Sequence, residues 1–377
     1  MKIAILGTRG IPNNYGGFEQ FAEYLSVGLV EKGHDVTVYS PHFHDYKEPV
    51  YKGVRIKHIC SPEHVMGSSF GSFFYDYACL KDALKEKDKF DILYELGYTS
   101  VVPSYIWFNV KKLKTPVLIT NMDGLEHRRP KFNRWVRRFL RWEEKMAIRY
   151  SSHIVTDNKA IHDYHLAKYG KESKFLAYGA CMNRHYREQY LHEFNLTAGN
   201  YLLVIARMEP ENNIEMIIKG YLESNLRDKP LIIVGRIKTS HGKYLVNKYR
   251  QSAGIRFING IYDFEKLCAL RHFSYLYFHG HSVGGTNPSL LEAMASGCFI
   301  AAHDNEFNRS ILKENALFFH HQEDISRILS NMSTLSPTTK NRIIACNLKV
   351  TQNGYSWEKL INDYEAYFLR LLSENRL

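Results

Sequence analysis

Short runs rich in β-branched and aromatic residues alternate with helical segments along the chain, and this alternation restricts the fold more than any other feature. Each run is followed by enough residues for a crossover, which is typical of a parallel sheet. The first series of strand candidates is KIAILG, DVTVYS, VRIKHI, FDILYEL, PVLITN and SHIVTDN, and the second, after a polar stretch around residues 184–200, is NYLLVIARM, PLIIVG, IRFING, FSYLYFHG and CFIAAHD. We therefore predict an α/β protein of two Rossmann-like domains with a cleft between them, in which ligands bind beyond the carboxyl ends of the strands.

The length of the chain agrees with this division. A chain of 377 residues is too long for one core and suits two domains of about 150–200 residues each. We place the first domain at residues 1–185 and the second at residues 186–355. The final segment, 356–377, has apolar residues at helical spacing, so we expect an amphipathic helix that joins the first domain.

The sequence disfavours several protein classes. No stretch reaches the roughly 18 unbroken apolar residues of a membrane span, and the N-terminal MKIAILG is too short for a signal sequence, so we expect a cytoplasmic protein. The cysteines are scattered without CxxC pairs or zinc-ligand spacing, so we expect reduced packing residues, no disulfides and no structural metal. They are Cys60, Cys79, Cys181, Cys268, Cys298 and Cys346.

The formal net charge of +11 indicates an acidic partner, and much of the excess lies in residues 127–145. Apolar residues from Phe132 to Leu140 recur there at helical spacing, which predicts a basic amphipathic helix over residues 130–145. Either its apolar side packs on its own domain and its arginines are solvated, or the helix lies at an anionic membrane surface. Nucleic acid is disfavoured because no HTH, RRM, zinc-finger or OB signature accompanies the charge. The arginines are Arg134, Arg137, Arg138 and Arg141.

The first strand candidate is followed by a glycine-rich loop, GTRGIPNNYGGFE. Glycines let a backbone approach a ligand closely, and the helix after Gly16 and Gly17 offers its N-terminus to an anion. A dinucleotide-dependent oxidoreductase is disfavoured, because the glycines do not form GxGxxG and the second strand ends in Ser40-Pro41 instead of an acid. The alternative is that these glycines only form a turn.

The stretch GHSVGGTNPSLLEAMASG, residues 280–297, predicts a phosphate-binding loop followed by a short helix. Asn287 is a good N-cap and Gly297 a good C-terminal stop, so we expect a helix over residues 288–296. Gly284, Gly285 and the neighbouring Thr286 leave backbone N–H groups for phosphate oxygens. Glu292 lies on the face of the first turn, where a carboxylate can accept two hydrogen bonds from a ribose diol. The alternative is a capped helix with a solvated glutamate.

Together with these features, a series of motifs resembles that of a known family. The motifs ARMEPENNIEMIIKGY, IIVGR, FINGIYD and GGTNPSLLEAMASG resemble those of retaining glycosyltransferases of family four, which have the GT-B fold. The loop GTRGIPNNYGGFE and the stretch NMDGLEHRRPKF are similar to a branch in which bacterial rhamnosyltransferases of surface polysaccharide assembly are prominent. The resemblance covers essentially the whole chain.

The resemblance implies roles for individual residues. Arg207 matches the family arginine on the donor diphosphate, and Glu292 matches the second acid of the E-x7-E motif, which binds the ribose. The family lysine after that arginine falls on Asn212, and the first acid of the motif falls on Gly284, so two of four customary donor contacts are altered.

Other residues of the second domain are expected to replace these contacts. We expect Arg236 and Lys238, just after IIVG, to supply the missing positive charge. Thr286 and Asn287 are candidates to meet the sugar or the phosphate in place of the absent acid.

Sugar transfer requires groups that stabilise the leaving diphosphate. No DxD motif lies in a suitable loop, so we expect no metal and no cofactor, with arginines and a helix N-terminus stabilising the charge. The resemblance implies that the acceptor hydroxyl attacks from the face that the diphosphate leaves, without a protein nucleophile. Asp123 falls where many relatives carry a histidine that faces the donor sugar, although MDG is also a simple turn. Glu95 and Tyr98, at another strand end, are expected on the acceptor side.

We therefore expect a glycosyltransferase that moves a sugar, with L-rhamnose from dTDP-rhamnose as first candidate, onto a lipid-linked glycan. The partners expected are a nucleotide-diphosphate sugar, that acceptor and an anionic membrane surface at the cytoplasmic face. Two alternatives stay open. A GT-B epimerase or phosphorylase would act without a lipid acceptor, and a noncatalytic sugar- or nucleic-acid-binding protein would release no nucleoside diphosphate.

Overall fold

The computed structural model describes residues 1–14, 16–85, 90–122, 124–182, 185–261 and 263–375, without the side chains of Ser68 and Ser69. The chain divides into two compact units. The first consists of Met1–His127, Arg134–Tyr178 and Trp357–Leu377, and the second of Arg128–Asn133 and Gly179–Ser356. The main division therefore falls between residues 178 and 179, and a short segment of the N-terminal half belongs to the second unit.

The first unit is built on an eight-stranded sheet. Its strands are β1 (Lys2–Leu6), β2 (Asp35–Pro41), β3 (Val50–Tyr51), β4 (Val54–Ile59), β5 (Ile92–Leu96), β6 (Val117–Asn121), β7 (His153–Thr156) and β8 (Lys174–Phe175). The strand order is β3-β4-β2-β1-β5-β6-β7-β8, and every pairing is parallel except that of β3 with β4. The strands predicted from KIAILG to SHIVTDN are all present. Strands β3 and β8 were missed because two residues are too few to show a period of two.

The strand order of this sheet reverses between β1 and β5, whose residues Leu6 and Glu95 are paired. A Cβ atom on Gly7 would lie 2.3 Å from the carbonyl oxygen of Leu96, and the φ angle of Gly7 is +75°. Only glycine therefore lets β1 leave the sheet this close to β5. In open α/β sheets, ligands bind beyond the carboxyl ends of the strands at such a reversal.

Helices cover the strands of the first unit. They are α1 (Gly17–Glu31), α2 (Glu63–Lys85), α3 (Val102–Trp107), α4 (Arg134–Tyr150) and α5 (Lys159–Tyr169). Helix α2 is interrupted at Gly67, which has a φ of +77°. The prediction of a basic helix over residues 130–145 is wrong at both ends. The helix begins later, at Arg134, because residues 128–133 belong to the second unit, where Arg129 and Lys131 lie near Glu211. At its other end the helix runs on to Tyr150.

The second unit is built on a six-stranded sheet in which every pairing is parallel. Its strands are β9 (Leu202–Ile205), β10 (Leu231–Val234), β11 (Ile255–Ile258), β12 (Leu276–His279), β13 (Ile300–His303) and β14 (Leu317–Phe319). The order is β11-β10-β9-β12-β13-β14, so the reversal lies between β9 and β12. This is the Rossmann order, and the predicted second series of strands is present. Only the short β14 was missed.

The helices of the second unit are α6 (Ile214–Glu223), α7 (Ser240–Tyr249), α8 (Phe264–His272), α9 (Pro288–Ala295), α10 (Glu306–Leu312), α11 (Gln322–Ser330) and α12 (Pro337–Gly354). Short 3-10 helices lie at Val110–Lys112, Glu126–Arg128, Glu188–Phe194 and Pro210–Asn212. The caps predicted for α9 are confirmed. The Asn287 side-chain oxygen accepts from Ser289 N at 3.0 Å, and Gly297 follows the helix with a φ of +70°.

The last helix, α13 (Trp357–Asn375), belongs to the first unit. Its Tyr364 hydroxyl lies 2.8 Å from that of Tyr94 on β5. A Cβ atom on Gly28 of α1 would lie 2.3 Å from the Ile361 side chain, so α1 and α13 pack closely at this point. Each unit has its own buried apolar core between sheet and helices. Among the described residues, no helix is both long enough and apolar enough to cross a bilayer.

Candidate functional site

The end of strand β9 leads into a turn that presents Arg207 to solvent. The carbonyl oxygen of Arg207 accepts hydrogen bonds from Glu209 N at 2.8 Å and from Asn212 Nδ2 at 2.6 Å. Asn212 is buried, and its amide is used to close this turn. Asn212, which occupies the position of the family lysine, therefore stabilises the turn that carries Arg207.

The loop after β10 lies next to this turn. Thr239 Oγ1 donates to the carbonyl oxygen of Met208 at 2.8 Å, which ties the two loops together. Arg236 and Lys238 are exposed on the β10 loop. They line a cavity of about 300 Å³ together with Asn259 and Gly260. The structure thus places both predicted cations beside the turn of Arg207.

The loop between β12 and α9 is held by side chains of the next loop. Asn305 Nδ2 and Asn308 Nδ2 each donate to the carbonyl oxygen of His281 at 3.0 Å. Gly284 follows with a φ of +138°, and a Cβ atom there would meet nothing within 4 Å. The space where the family acid would lie is therefore open, although the backbone conformation favours glycine. Thr286 is buried at 3 % exposure, whereas Gly284 and Gly285 are half-buried.

The first turn of α9 is fixed to the end of β9. Ser289 Oγ donates to the carbonyl oxygen of Ile205 at 3.1 Å and lies 2.7 Å from the hydroxyl of Tyr277. Ile205 is the last residue of β9, two positions before Arg207. The N-terminus of α9, which carries partial positive charge, and the loop of Arg207 therefore lie side by side at the reversal of the sheet.

Glu292 has an internal partner that the sequence did not reveal. Its Oε2 lies 2.6 Å from Nη2 of Arg271 on α8, and the two side chains are 16 % and 2 % exposed. Burial lowers the pKa of Arg271, but the Glu292 carboxylate more than offsets this, so the pKa is raised. Nε and Nη1 of Arg271 are buried without a hydrogen-bond partner among the described residues. No sequence signal marks Arg271, because an arginine near a helix C-terminus is usually solvated.

Two histidines at the end of β12 form a neutral stack. The rings of His279 and His281 have centroids 4.3 Å apart and planes 12° apart. Burial lowers the pKa of His279 to about 3, with a contribution from His303. Burial also lowers the pKa of His281 well below its usual value. Both rings are therefore uncharged at neutral pH. They stack on each other at the start of the loop that leads to α9.

The segment Arg128–Asn133 brings basic residues to the second unit. Arg128 Nη1 lies 2.6 Å from Glu306 Oε1, and Arg129 Nη1 lies 3.0 Å from Glu211 Oε1. Lys131 Nζ is 4.0 Å from the same Glu211 oxygen. The sequence interpretation placed Lys131 in the basic amphipathic helix and gave Arg128 and Arg129 no individual role, so it missed the position of these cations near the turn of Arg207.

Three of the buried acids of the first unit are Asp76, Glu95 and Glu143. Ser100 donates from its backbone N–H to Glu143 at 3.1 Å and from its hydroxyl to Asp76 at 2.5 Å. Burial raises the pKa of Asp76 to about 7 and that of Glu143 to about 8. Burial and Asp76 raise the pKa of Glu95 well above its usual value. Both causes disfavour the charged form of the Glu95 carboxyl group.

The remaining predicted residues of the first unit are Tyr98, Gly16 and Gly17. Tyr98 is buried, and its hydroxyl donates to the carbonyl oxygen of Gly124 at 3.1 Å. Gly16 is the N-cap of α1 and Gly17 its first residue. The N–H of Arg9 in the same loop donates to Glu19 at 2.9 Å, so a carboxylate of α1 already occupies part of this loop. The roles predicted for these residues stay predictions.

Two other predictions for the first unit concern Asp123 and the arginines of α4. Asp123 lies outside the described residues. On α4, Arg134, Arg138 and Arg141 are exposed, whereas Arg137 is half-buried.

Comparison with known families covers both halves of the chain. Residues 188–343 match the family model described as Glycosyl transferases group 1. Residues 1–181 match a model described as Domain of unknown function (DUF1972). No curated protein sequence matches the chain.

Several solved structures are similar to the whole chain. Sucrose-phosphate synthase from Thermosynechococcus elongatus has 13 % identity and a TM-score of 0.80, with 99 % of each chain covered. A glycosyltransferase from Rickettsia africae ESF-5 has 13 % identity and a TM-score of 0.71, with 98 % of this chain and 99 % of that chain covered. HepE of Anabaena, in complex with UDP, has 12 % identity and a TM-score of 0.72, with 98 % and 100 % covered. Such low identities show the fold alone, and the predicted GT-B fold is confirmed.

Proposed function

We propose that this chain, whose residues 188–343 are a group 1 glycosyltransferase domain in a protein of GT-B fold, transfers a sugar from a nucleoside-diphosphate donor with retention of anomeric configuration. The acceptor is a lipid-linked glycan of bacterial surface polysaccharide biosynthesis, met at the cytoplasmic face of the membrane. The donor to test first is dTDP-L-rhamnose.

The observation that carries this proposal is the group of positive charges at the reversal of the second sheet. The Ser289 bond to Ile205 holds the N-terminus of α9 beside the turn of Arg207, and the Thr239 bond to Met208 holds the Arg236 loop against it. Helix N-termini and guanidinium groups both bind phosphate oxygens. A nucleoside diphosphate fits this combination, and the UDP bound to HepE of Anabaena supports that class of ligand.

The positive groups that bind the donor diphosphate also stabilise it as it leaves the sugar. Negative charge builds on the diphosphate as the sugar–phosphate bond breaks, and Arg207, Arg236 and the α9 N-terminus stabilise it. The acceptor hydroxyl attacks the anomeric carbon from the face that the diphosphate leaves, and a diphosphate oxygen takes its proton. The products are the glycosylated acceptor and the nucleoside diphosphate. No covalent protein intermediate and no metal are needed in this scheme.

The experiment that tests the activity is a panel of donors against one acceptor. Purified protein is incubated with dTDP-rhamnose, UDP-sugars or GDP-sugars and a lipid-diphosphate sugar, and the products are read by mass spectrometry. We expect one donor to add a single sugar to the acceptor and to release one nucleoside diphosphate. Donor alone is the control, and an epimerised donor or phosphate-dependent cleavage in that control would refute the proposal in favour of an epimerase or phosphorylase.

An exposed aromatic surface supports the membrane part of the proposal. On α4, Trp135, Phe139 and Trp142 are 69 %, 41 % and 40 % exposed. Phe139 stacks on Trp142 and contacts Phe73 of α2, with ring centroids 5.6 Å and 6.2 Å apart. The alternative that the apolar side of α4 packs entirely on its own domain does not account for these exposures. Exposed aromatics beside arginines suit the headgroup region of an anionic bilayer.

Helix α2 extends this aromatic surface. Val65, Phe70 and Phe74 are 90 %, 70 % and 52 % exposed, and Met66 is 46 % exposed. Contiguous exposed apolar groups of this kind mark interaction sites. We propose that the exposed apolar residues of α2 and α4 enter the headgroup region while the arginines of α4 contact anionic lipid phosphates.

Charge reversal on α4 should remove this binding. We expect Arg134, Arg137, Arg138 and Arg141, replaced together by glutamate, to abolish cosedimentation with phosphatidylglycerol vesicles, because about 1 kcal/mol of attraction per basic residue is lost. The matched control makes the same charge change at Lys243, Arg250, Arg342 and Lys349, which are exposed in the second unit. Wild-type binding by the α4 variant, or equal loss in the control, would contradict the proposal.

A further inference from the structure

We propose that Ser100 and the carboxyl groups of Asp76 and Glu143 form a proton-dependent bridge between α2 and α4. The bridge is closed while the two acids are protonated and opens when they ionise. All three residues belong to the first unit. The effect of the bridge on membrane binding rests on the proposed function, because α2 and α4 carry the exposed aromatic surface.

Ser100 lies in the loop between β5 and α3 and contacts both helices. Its backbone N–H donates to Glu143 Oε1 on α4 at 3.1 Å, and its hydroxyl oxygen lies 2.5 Å from Asp76 Oδ2 on α2. The φ angle of Ser100 is +70°, a conformation that residues other than glycine rarely adopt. Such a conformation persists where surrounding contacts hold it, so these two contacts help to fix the loop.

The bridge lies one helical turn from the aromatic contact between α2 and α4. Phe73 of α2 and Phe139 of α4 have ring centroids 6.2 Å apart. Asp76 is three residues after Phe73, and Glu143 is four residues after Phe139, so each acid neighbours one of these rings on its helix. Asp76 is 9 % exposed and Glu143 1 %. A change in the bridge therefore acts on the packing of the aromatic surface.

The hydrogen atoms in the bridge are too few for two ionised acids. The Ser100 hydroxyl has one hydrogen, but its oxygen lies within hydrogen-bond distance of both Asp76 Oδ2 and the carbonyl oxygen of Thr99. A carbonyl oxygen can only accept, so both contacts are hydrogen bonds only when Asp76 carries a proton. Glu143 Oε2 is buried without a hydrogen-bond partner among the described residues, which disfavours an ionised Glu143.

The surroundings of the bridge also favour the protonated acids. Burial raises the pKa of Asp76 to about 7, with a further contribution from Glu63, and burial raises the pKa of Glu143 to about 8. Arg9 acts in the opposite direction on the pKa of Asp76. However, Arg9 Nη2 lies 3.1 Å from Glu63 Oε2, so its charge is already paired there.

Other titratable groups near the bridge do not ionise in the same pH range. The side chains that interact with Asp76 on its own helix and on α3 have pKa values raised by burial, and they are Tyr75, Cys79 and Tyr105. Lys111 and Lys112, in the 3-10 helix that packs against α4, are exposed, so solvent screens their charges.

Raising the pH removes both protons from the bridge. In the unfolded chain these acids ionise near pH 4, so the stability that protonation contributes is fully present below about pH 4. It is lost as the pH rises through about 7 and 8, where the folded-state pKa values lie. Above that range Asp76 and Glu143 repel each other, and the Ser100 hydroxyl can donate to only one of its two neighbours. We expect α2 to loosen from α4.

An anionic membrane favours the closed bridge. Its surface potential of about −30 mV concentrates protons, which lowers the local pH by about half a unit. The acids of a bound protein therefore stay protonated at bulk pH values at which they ionise in solution. Since coupling between two binding events is reciprocal, loss of the protons should weaken membrane binding.

Hydrogen exchange tests the bridge by itself. We expect the protection factors of backbone amides around Asp76 and Ser100 to fall about 10-fold between about pH 6.5 and about pH 8.5 in the wild type, because both acids ionise in this interval. In the double variant Asp76→Asn, Glu143→Gln neither side chain ionises, so the protection factors should change less than about 2-fold.

The matched control makes the same chemical changes at two exposed acids of the first unit. Asp163→Asn, Glu358→Gln should show the pH dependence of the wild type. Each single variant, Asp76→Asn or Glu143→Gln, should keep part of the pH dependence, and it replaces the double variant if that protein does not fold.

Cosedimentation with phosphatidylglycerol vesicles at the same two pH values tests the link to the membrane. We expect the wild-type affinity to fall about 5-fold or more at the higher pH, and the affinity of the double variant to fall less.

The outcomes distinguish this inference from the proposed function. Equal protection factors at both pH values in the wild type, or an equal fall in the double variant, overturn the bridge. Vesicle affinity that is independent of pH, together with pH-dependent exchange, overturns its link to the membrane. Wild-type protein that binds no vesicles overturns the membrane part of the proposed function, while hydrogen exchange still decides whether the bridge exists.

Discussion

Glu292→Ala is expected to lower the free energy of unfolding by about 3–5 kcal/mol, the usual cost of removing one member of a buried ion pair. The reason is the guanidinium group left behind. Arg271 is 2 % exposed, and its Nη2 lies 2.6 Å from Glu292. Without the carboxylate, a buried positive charge has neither its ion-pair partner nor access to water. Urea unfolding of the wild type and the variant measures this loss.

The reciprocal variant should cost less. Arg271→Met leaves behind Glu292, which is 16 % exposed and can reach solvent, so we expect a loss of about 1–3 kcal/mol. Glu292→Gln keeps a hydrogen-bond acceptor for Arg271 and should lie between the wild type and Glu292→Ala. The double variant Arg271→Met, Glu292→Leu should lose less than the sum of the single changes. Equal losses in both single variants would contradict this account of the pair.

Because Glu292 pairs with Arg271, the choice of variant affects any measurement of the contact predicted between Glu292 and the ribose. We expect a weakening of nucleotide affinity by about 1–3 kcal/mol when the Glu292 carboxylate is lost. The alanine variant combines that effect with a loss of folded protein. Calorimetry on Glu292→Gln, at a temperature where it is fully folded, is the cleaner measurement.

Arg207→Ala is expected to have the opposite profile, with a large loss of activity and little loss of stability. Removing one group that stabilises developing negative charge costs about 100- to 1000-fold in kcat. The affinity for the nucleoside diphosphate should fall by about 1–3 kcal/mol. Since the Arg207 side chain is exposed, the free energy of unfolding should stay within about 0.5 kcal/mol of wild type.

The control for Arg207 is another exposed arginine of the second unit. Arg250 follows α7, and Arg250→Ala should leave kcat unchanged. Arg207→Lys keeps the charge but not the fork, so it should recover part of the activity. Calorimetry and steady-state kinetics on these variants decide the point. Wild-type kcat and nucleotide affinity in Arg207→Ala would exclude this residue from the site.

The parts of the structure that the sequence could predict are those set by local pattern. Strand periodicity located all but the three shortest strands, and the cap residues Asn287 and Gly297 located α9 to within one residue. These signals work because strand pattern and helix caps depend on residues close in sequence. The start of α4 was missed because residues 128–133 take their partners from distant parts of the chain.

The candidate site was predictable only in part for the same reason. Arg207 and the α9 loop carry recognisable motifs, and the structure brings them together. Arg271, the partner of Glu292, lies 21 positions away from it in the sequence. Glu211, the partner of Arg129, lies 82 positions away. These pairs form only when the chain folds. No local pattern distinguishes a buried arginine of this kind from a solvated one, because its environment is set by packing.

The placement of α13 has a consequence for how the protein matures on the ribosome. All residues of the second sheet are made before α13, yet α13 contributes Tyr364 and Ile361 to the packing of the first unit. The usual order, in which the N-terminal part folds first during synthesis, is therefore reversed at the last step. The nascent first unit keeps an uncovered aromatic face around Tyr94 until the final helix emerges, and that interval is when a chaperone has a surface to bind.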